Sequence, residues 1–337
     1  MLRKNLLLVA MTALLGSSFL LIGVSLFRLQ EYKRYIVYMR LPRCLEWDVR
    51  YDQIFKPNCK ETFRLSDRVV DFQTNEMGLR DRAVSQIKPE QVFVVGDSVV
   101  EVMGLQYSES FSQVLEKETA DELGLQFINL GRRRSSPVTQ VLGLRAKIEK
   151  LKPKYIIWAL TENDFNDDYF AKERATEIGS NGLPIKFDIQ YLKNTEPNLL
   201  KDFIFNLDPG SSDSLAILKY IYLSKFVFKT YEKWENAPAD CSGIHEAERI
   251  AREMNIKLGF MAVPFSPKYV SLYREGNLKL QLQKLIECTS HPVFDLRVPS
   301  ISRDEHFYQE DLMHFNAEGV RKSVQYLKRQ IIEFIQN

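Results

Sequence analysis

Three side chains that lie far apart in the sequence could together form a nucleophilic centre. Ser98 carries a hydroxyl in the tripeptide Gly96-Asp97-Ser98, His314 carries an imidazole, and Asp311 lies three residues before that histidine. A serine hydroxyl is a poor nucleophile until a base accepts its proton. An imidazole can be that base, because its ordinary pKa is about 6.5. A carboxylate held beside it in a turn can fix the tautomer and stabilise the imidazolium.

Acyl transfer by such a centre also needs donors for the oxyanion of the tetrahedral intermediate. The candidates are the backbone N–H groups of Ser98, Gly131 and Arg134 and the side-chain amide of Asn163. Losing one such donor costs about 2.7–4 kcal/mol of transition-state stabilisation in enzymes where it has been tested.

Gly131 is followed directly by three consecutive arginines, Arg132, Arg133 and Arg134. Guanidinium groups beside an oxyanion loop would suit a substrate that bears a phosphate or a carboxylate. The alternative is a solvated charged face with no role in binding.

We call the segments that hold these residues the first (96–98), second (129–134), third (161–164) and fourth (311–314) polar blocks. The first three each follow a short apolar run that is typical of a buried strand. We predict five strands: Val92–Val95, Phe127–Leu130, Tyr155–Leu160, Leu258–Val263 and Val293–Leu296. Helical spacing falls between and after them, and we predict helices at 110–124, 138–151, about 244–256, about 276–287 and about 317–336.

This alternation predicts βαβ units, a central parallel sheet and helices on both of its faces. Ligands bind beyond the carboxyl ends of the strands in such sheets. Because Ser98, the Gly131–Arg134 loop and Asn163 each follow a predicted strand, we expect them at one edge of the sheet.

The N-terminal region contains an uncharged apolar run of 22 residues, Leu6–Phe27. At 1.5 Å per residue a helix of this length spans about 33 Å, enough for the hydrocarbon core of a bilayer. We predict a short tail at 1–5 and an uncleaved signal anchor at 6–27, with a cleaved signal peptide as the alternative. Basic residues flank the run on both sides, so their distribution does not set its orientation. We expect the chain after residue 27 to lie outside the cytoplasm, in the periplasm or the extracellular space.

Four cysteines occur in the chain, and none forms a C-x-x-C pair. In an oxidising compartment they would suit two disulfides, most simply Cys44–Cys59 and Cys241–Cys288. Three pairings are possible, and four thiols in a reducing compartment are the alternative.

The composition and the spacing of the patterns limit the function classes and the domain organisation. The 337 residues include 46 Lys and Arg and 44 Asp and Glu, a net charge of +2, which argues against nucleic-acid binding through a broad basic field.

We predict a collar at 28–89 and a main domain at 90–337. An insertion at about 165–235 would be a lid, a substrate-binding element or a structural helix pair.

The order of the motifs resembles the SGNH (GDSL-type) hydrolase superfamily over about 90–336. The motifs are Gly96-Asp97-Ser98, Asn129-x-Gly131, Asn163-Asp164 and Asp311-x-x-His314, and the lead-in Asn75-x-x-Gly78-Leu79-Arg80-Asp81 is similar to that of bacterial membrane-tethered or secreted members. The resemblance implies a flavodoxin-like three-layer α/β/α fold with no metal or organic cofactor. It also implies Ser98 as nucleophile, His314 as base, Asp311 as its orienting acid, and an oxyanion hole from Asn163 and the second-block loop.

Two positions depart from the family pattern. Arg134 stands where the second block usually has glycine, and Thr161 replaces the glycine of the Gly-x-Asn-Asp block. A degenerate or very selective site is therefore an alternative to an ordinary one.

These features lead to an expected function and two alternatives. The expectation is a serine esterase that removes acyl groups, including acetyl, from a carbohydrate or lipid of the cell envelope. An O-acyltransferase that passes the acyl group to a sugar hydroxyl is one alternative, and a non-catalytic envelope binding protein is the other.

Overall fold

The computed structural model describes residues 44–64, 68–188, 240–272, 282–308 and 312–337. The predicted anchor at 6–27 and the predicted orienting acid Asp311 lie outside these ranges, as does the part of the predicted insertion beyond residue 188. None of the helices within these ranges is long and apolar enough to cross a membrane.

Eleven strands are present in the described ranges, five of them in one central sheet. In chain order they are β1 (Leu45–Asp48), β2 (Asp52–Phe55), β3 (Lys60–Arg64), β4 (Val69–Gln73), β5 (Val92–Gly96), β6 (Phe127–Gly131), β7 (Tyr155–Thr161), β8 (Ala175–Ile178), β9 (Pro184–Phe187), β10 (Lys257–Val263) and β11 (Val293–Asp295).

The central sheet is parallel throughout and has the order β11-β10-β7-β5-β6. Numbered by their place in the chain, its strands lie in the order 2-1-3-4-5, which is the flavodoxin-like arrangement. All five predicted strands are present, so the predicted sheet is confirmed. The strands are apolar along almost their whole length because helices cover both faces.

The helices of the described ranges form the two outer layers. They are α1 (Ser98–Glu101), α2 (Phe111–Glu118), α3 (Ala120–Leu123), α4 (Pro137–Leu142), α5 (Leu144–Leu151), α6 (Asp164–Glu173), α7 (Ser242–Glu253), α8 (Pro267–Leu272), α9 (282–287) and α10 (Ala317–Gln336). Side chains of α4, α5, α7 and α9 pack in the core on one face of the sheet, and those of α2 and α10 pack on the other.

Two of the predicted helices are each divided into two short helices. The one predicted at 110–124 breaks at Thr119, whose hydroxyl donates to the carbonyl of Leu115 at 2.8 Å. The one predicted at 138–151 breaks at Gly143. Glycine and threonine have low helix propensities, and a side-chain hydroxyl bonded to the preceding turn bends a helix.

Small antiparallel hairpins surround the sheet. β1–β2 and β3–β4 lie in the predicted collar, and β8–β9 lies in the predicted insertion. The collar has its own apolar cluster, in which the Phe55 and Phe72 rings lie 5.1 Å apart.

Both predicted disulfides are present. Cys44 is bonded to Cys59 in the collar, and Cys241 at the start of α7 is bonded to Cys288 after α9. The simplest of the three possible pairings is confirmed.

Candidate active site

The predicted nucleophile lies in a tight turn between β5 and α1. Asp97 caps the helix, because its carboxylate accepts a hydrogen bond from the backbone N–H of Val99 at 2.9 Å. A Cβ on Gly96 would lie 2.5 Å from a methyl carbon of Val100, so the residue at this position has to be small. The helix ends at Val102, which has a positive φ of 70°. The turn places Ser98 just beyond the carboxyl end of β5.

His314 meets this turn from the C-terminal part of the chain. Its Nε2 lies 2.7 Å from Ser98 Oγ. In the tautomer that carries its proton on Nδ1, the serine hydroxyl donates to Nε2, which is the arrangement for proton transfer to a general base. The imidazole is buried, with 6% of its surface exposed. The structure therefore brings together two predicted residues that are 216 positions apart.

One buried carboxylate of the described ranges lies close to this pair. Asp97 is buried, and burial raises its pKa, while the Val99 N–H and the charge of His314 act to lower it. Because Asp311 lies outside the described ranges, its role as the orienting acid stays a prediction.

The third polar block follows β7 and is cross-linked to the nucleophile turn. The Thr161 hydroxyl lies 2.9 Å from Asn163 Oδ1 and 3.2 Å from Asp97 Oδ2. The amide of Asn163 donates one hydrogen bond to Asp167 Oδ2 at 2.7 Å. An amide nitrogen carries two protons, so a second donor remains for an oxyanion. Thr161, a departure from the family pattern, thus links the third polar block to the turn that holds Ser98.

Gly131 does not fulfil its predicted role. Its backbone N–H donates to Asn129 Oδ1 at 2.8 Å, so this donor is already used and the prediction of an oxyanion contact is wrong. A Cβ at Gly131 would lie 2.0 Å from the backbone nitrogen of Glu101. The glycine is required instead for the close approach of β6 to α1.

Comparison with known proteins gives similarity at the level of structure. No family model matches the chain, and no curated protein sequence matches it. Among 63 matching solved chains is the psychrotrophic esterase EstA from Pseudoalteromonas sp., at 12% identity and a TM-score of 0.41, covering 74% of this chain and 100% of that one. A carbohydrate acetylesterase family member from Sinorhizobium meliloti matches at 12% identity and a TM-score of 0.38, covering 74% and 100%.

A third matching structure is a GDSL-like lipase from Bacteroides thetaiotaomicron VPI-5482, at 12% identity and a TM-score of 0.37, covering 72% of this chain and 88% of that one. All three matches are likenesses of structure at 12% sequence identity.

Arg134 occupies the position at which SGNH hydrolases usually have glycine. Its φ is 58°, in the left-handed region that favours glycine. The backbone at this position therefore takes a conformation that glycine adopts readily, although the residue is an arginine. Its side chain is exposed, and its charge lowers the pKa of Asp167, the hydrogen-bond partner of Asn163. Burial outweighs this effect and raises the pKa of Asp167 to about 6.

The prediction that all three arginines bind substrate is wrong for Arg132 and Arg133. Arg133 is buried, and both its guanidinium and its backbone N–H donate to the carboxylate of Glu101. The guanidinium of Arg132 donates to the backbone carbonyls of Gln53 and Thr139. These partners hold the loop against α1 and the collar, and only Arg134 is exposed.

Two residues that the sequence did not assign to the site hold the nucleophile turn. Glu101 lies three residues after Ser98, is fully buried, and forms the ion pair with Arg133. Arg80 donates to the carbonyls of Glu101, Val102 and Leu105 at 2.7–2.9 Å, which secures the C-terminal end of α1. Arg80 belongs to the lead-in motif, which was a usable signal. The sequence contained no signal for Glu101, because the residue type alone does not distinguish a buried glutamate from a solvent-exposed one.

The described ranges contain no group of three or more His, Cys, Asp or Glu side chains that could hold a metal ion.

Proposed function

We propose that this protein is an SGNH-type serine esterase that cleaves acyl esters through an acyl-enzyme on Ser98. The observation that carries the proposal is the 2.7 Å contact between Ser98 Oγ and His314 Nε2. Its position at the carboxyl edge of β5 adds support, because open parallel sheets bind ligands there.

The reaction follows from these groups. Ser98 Oγ attacks the ester carbonyl while His314 Nε2 takes its proton, giving a tetrahedral intermediate. Backbone N–H groups of Ser98 and Arg134 and the remaining amide N–H of Asn163 are the donors for its oxyanion. The bond between the acyl carbon and the alcohol oxygen then breaks, and His314 gives its proton to that leaving oxygen. Water, deprotonated by His314, attacks the acyl-enzyme and releases the carboxylic acid and free Ser98.

The substrate class follows from the expected location. We propose an acylated, especially acetylated, carbohydrate or lipid of the cell envelope, reached by a domain that the segment 6–27 anchors on the outer side of the cytoplasmic membrane. The two disulfides support this location, because disulfides persist in oxidising compartments and are rare in the cytosol.

Active-site labelling tests the proposal directly. A fluorophosphonate probe should label the wild type and not the Ser98→Ala variant, because the probe phosphonylates a serine activated by a base. Ser180→Ala is the matched control, since Ser180 is exposed and far from β5 in the chain, and it should label as the wild type does. A folded wild type that does not react would contradict the proposal and favour a binding protein.

Product analysis separates hydrolysis from transfer. With an acetyl ester donor and an oligosaccharide acceptor, an esterase releases free acetate, whereas an acyltransferase yields acetylated oligosaccharide. The two reactions share the acyl-enzyme and differ in whether water reaches it. Acetylated oligosaccharide as the main product would overturn the esterase proposal in favour of the transferase.

We also propose that Arg134 favours esters that carry a negative charge near the scissile bond. Its side chain is the exposed one of the three arginines, and it adjoins the Asn163–Asp167 pair. Arg134→Gln should raise KM for an anionic ester several-fold and leave KM for a neutral ester unchanged. Arg252→Gln, an exposed position on α7, is the control. Equal effects on both esters would contradict a charge-selective role.

A further inference from the structure

A pocket separate from the candidate active site lies beneath the collar. It is formed by β2, the carboxyl ends of β5 and β6, and helices α4 and α5. Arg132 and Lys147 line it together with apolar side chains that include Ile54, Met77 and Leu144. We call it the basic pocket. Neither Ser98 nor His314 lines it, so it is distinct from the candidate active site.

The two cations of the basic pocket have few acceptors. Arg132 donates to two backbone carbonyls, and the Lys147 ammonium has a single long hydrogen bond, 3.4 Å, to the carbonyl of Gly143. Within the described ranges neither cation is hydrogen-bonded to a carboxylate. After burial, the charges of Asp52 and Asp48 act on Arg132, and the carboxylate of Asp52 is itself paired with Arg174 at 2.6 Å.

The charges of Arg132 and Lys147 are both unfavourable, because each group is removed from water and the two like charges lie next to each other. Burial and, second, the charge of Arg132 lower the pKa of Lys147 to about 8. Burial lowers the pKa of Arg132 to about 10. An anion between the two groups would supply the acceptors that the protein does not, and would offset their repulsion.

We propose that the basic pocket binds a small carboxylate, with Arg132 and Lys147 as its two cationic donors. A guanidinium and an ammonium together can satisfy both oxygens of a carboxylate. The interior measures about 70 Å³. Because one water needs roughly 10–15 Å³ on this measure, a ligand of about five heavy atoms fits. The apolar walls suit a methyl or short alkyl group, so the ligand class is an acetate-sized monocarboxylate rather than an inorganic anion.

Thermal unfolding of the full chain tests the proposal with sodium acetate as the probe. At pH 7 and matched ionic strength, acetate should raise Tm by a few degrees relative to chloride, because it binds only the folded state. The shift should vanish in Lys147→Gln and persist in Lys150→Gln, an exposed lysine one turn further along α5. No acetate-specific shift in the wild type, or an unchanged shift in Lys147→Gln, would overturn the proposal.

A second measurement uses the wild type alone and does not depend on the folding of a variant. At pH 8 an acylating reagent should modify Lys147 readily, because about half of a group with a pKa of about 8 is then deprotonated. Acetate should protect Lys147 and leave Lys150 reactive, as read by mass spectrometry of the peptides. Protection by inorganic phosphate that equals protection by acetate would refute a carboxylate-specific pocket, and so would the absence of protection by either anion.

Discussion

Ser98 and His314 meet at one hydrogen bond but are held from opposite sides by different forces. On the serine side, the short helix α1 is secured by the buried Glu101–Arg133 ion pair and by the guanidinium of Arg80 on its last carbonyls. On the histidine side, the backbone N–H of Tyr308 donates to the carbonyl of His314 at 3.0 Å.

Aromatic packing adds to the histidine side. The Phe307 and Phe315 rings stack at 4.6 Å, and the Tyr308 hydroxyl donates to the carbonyl of Gly104 at 2.9 Å. The contacts described on this side are hydrogen bonds between neutral groups and the packing of aromatic rings.

The difference determines how each side responds to substitution. Removing one partner of a buried ion pair leaves an uncompensated charge and costs about 3–5 kcal/mol. Removing one neutral hydrogen bond costs only about 0.5–1.5 kcal/mol. The serine side should therefore fail abruptly, whereas the histidine side should tolerate the loss of one of its neutral hydrogen bonds, as long as His314 and the predicted orienting acid Asp311 are kept.

The largest expected effect is on the contact that joins the two sides. Ser98→Ala and His314→Ala should each lower kcat for 4-nitrophenyl acetate by roughly 10⁴–10⁶-fold, because the two residues act as a unit. The double variant should be no slower than the worse single variant. Losses that add up in the double variant would mean that the two residues work independently.

Glu101→Gln tests the electrostatic side. It should lower the free energy of unfolding by about 3–5 kcal/mol, because the guanidinium of Arg133 stays buried without its counter-charge. Glu253→Gln is the matched control, since its partners Arg145 and Arg249 are exposed, and it should leave the free energy of unfolding almost unchanged. Urea unfolding measures both. Equal losses would remove the basis of the comparison.

Asp168, on α6, should give the stability of the fold a distinctive pH dependence. Its carboxylate accepts from the backbone N–H of Val138 at the start of α4, and burial raises its pKa to about 8. The folded state then keeps a proton that the unfolded chain releases near pH 4, so this group makes stability fall as pH rises from about 4 to 8.

Asp168→Asn removes that titration. The variant should gain Tm relative to the wild type at pH 8 and gain less, or nothing, at pH 5. A Tm difference that is the same at both pH values would show that Asp168 does not titrate in this window.

Tyr308→Phe tests the histidine side. It deletes the hydrogen bond to Gly104 while keeping the ring, so unfolding should become easier by only about 1 kcal/mol and kcat should change little. A loss as large as that of Glu101→Gln would show that the histidine side is held as tightly as the serine side.

Arg134→Gly has the smallest expected effect and the opposite sign. Glycine relieves the left-handed conformation of Arg134 but loses more backbone entropy on folding, so the net gain in stability should be at most about 1 kcal/mol. Lys322→Gly, at an exposed site on α10, should cost about 1 kcal/mol instead. Destabilisation by Arg134→Gly would show that the positive φ carries no strain.

The central sheet and the serine–histidine contact could be predicted because their signals are local and repeated. Each sheet strand is a short apolar run, and the first three along the chain are each followed by a polar block at the sheet edge. The order of those blocks along the chain matched one known pattern, which linked Ser98 to His314 across 216 positions. The helix breaks at Thr119 and Gly143 were missed because helical spacing continues through them.

The arginine loop shows why the rest could not be predicted. The loop has three consecutive residues of the same type, Arg132, Arg133 and Arg134. The structure joins the first two to groups from distant parts of the chain, and the side chain of the third is exposed to solvent. The partners of the first two come from β2 and α1, far away in the chain. A run of charge carries no information about which distant carbonyl or carboxylate will meet it.

The sequence by itself determined the parallel sheet and the residues that meet as hydroxyl and imidazole. These follow from hydrophobic periodicity and from a motif order, both of which can be read along one dimension. The sequence left three cysteine pairings open, and the structure contains the simplest of them. Only the tertiary structure decided that Glu101 neutralises Arg133, that the N–H of Gly131 is already used, and that Arg132 and Lys147 share a pocket. Each of those outcomes depends on which groups are brought together out of water, where a single buried charge or donor must find its partner in space.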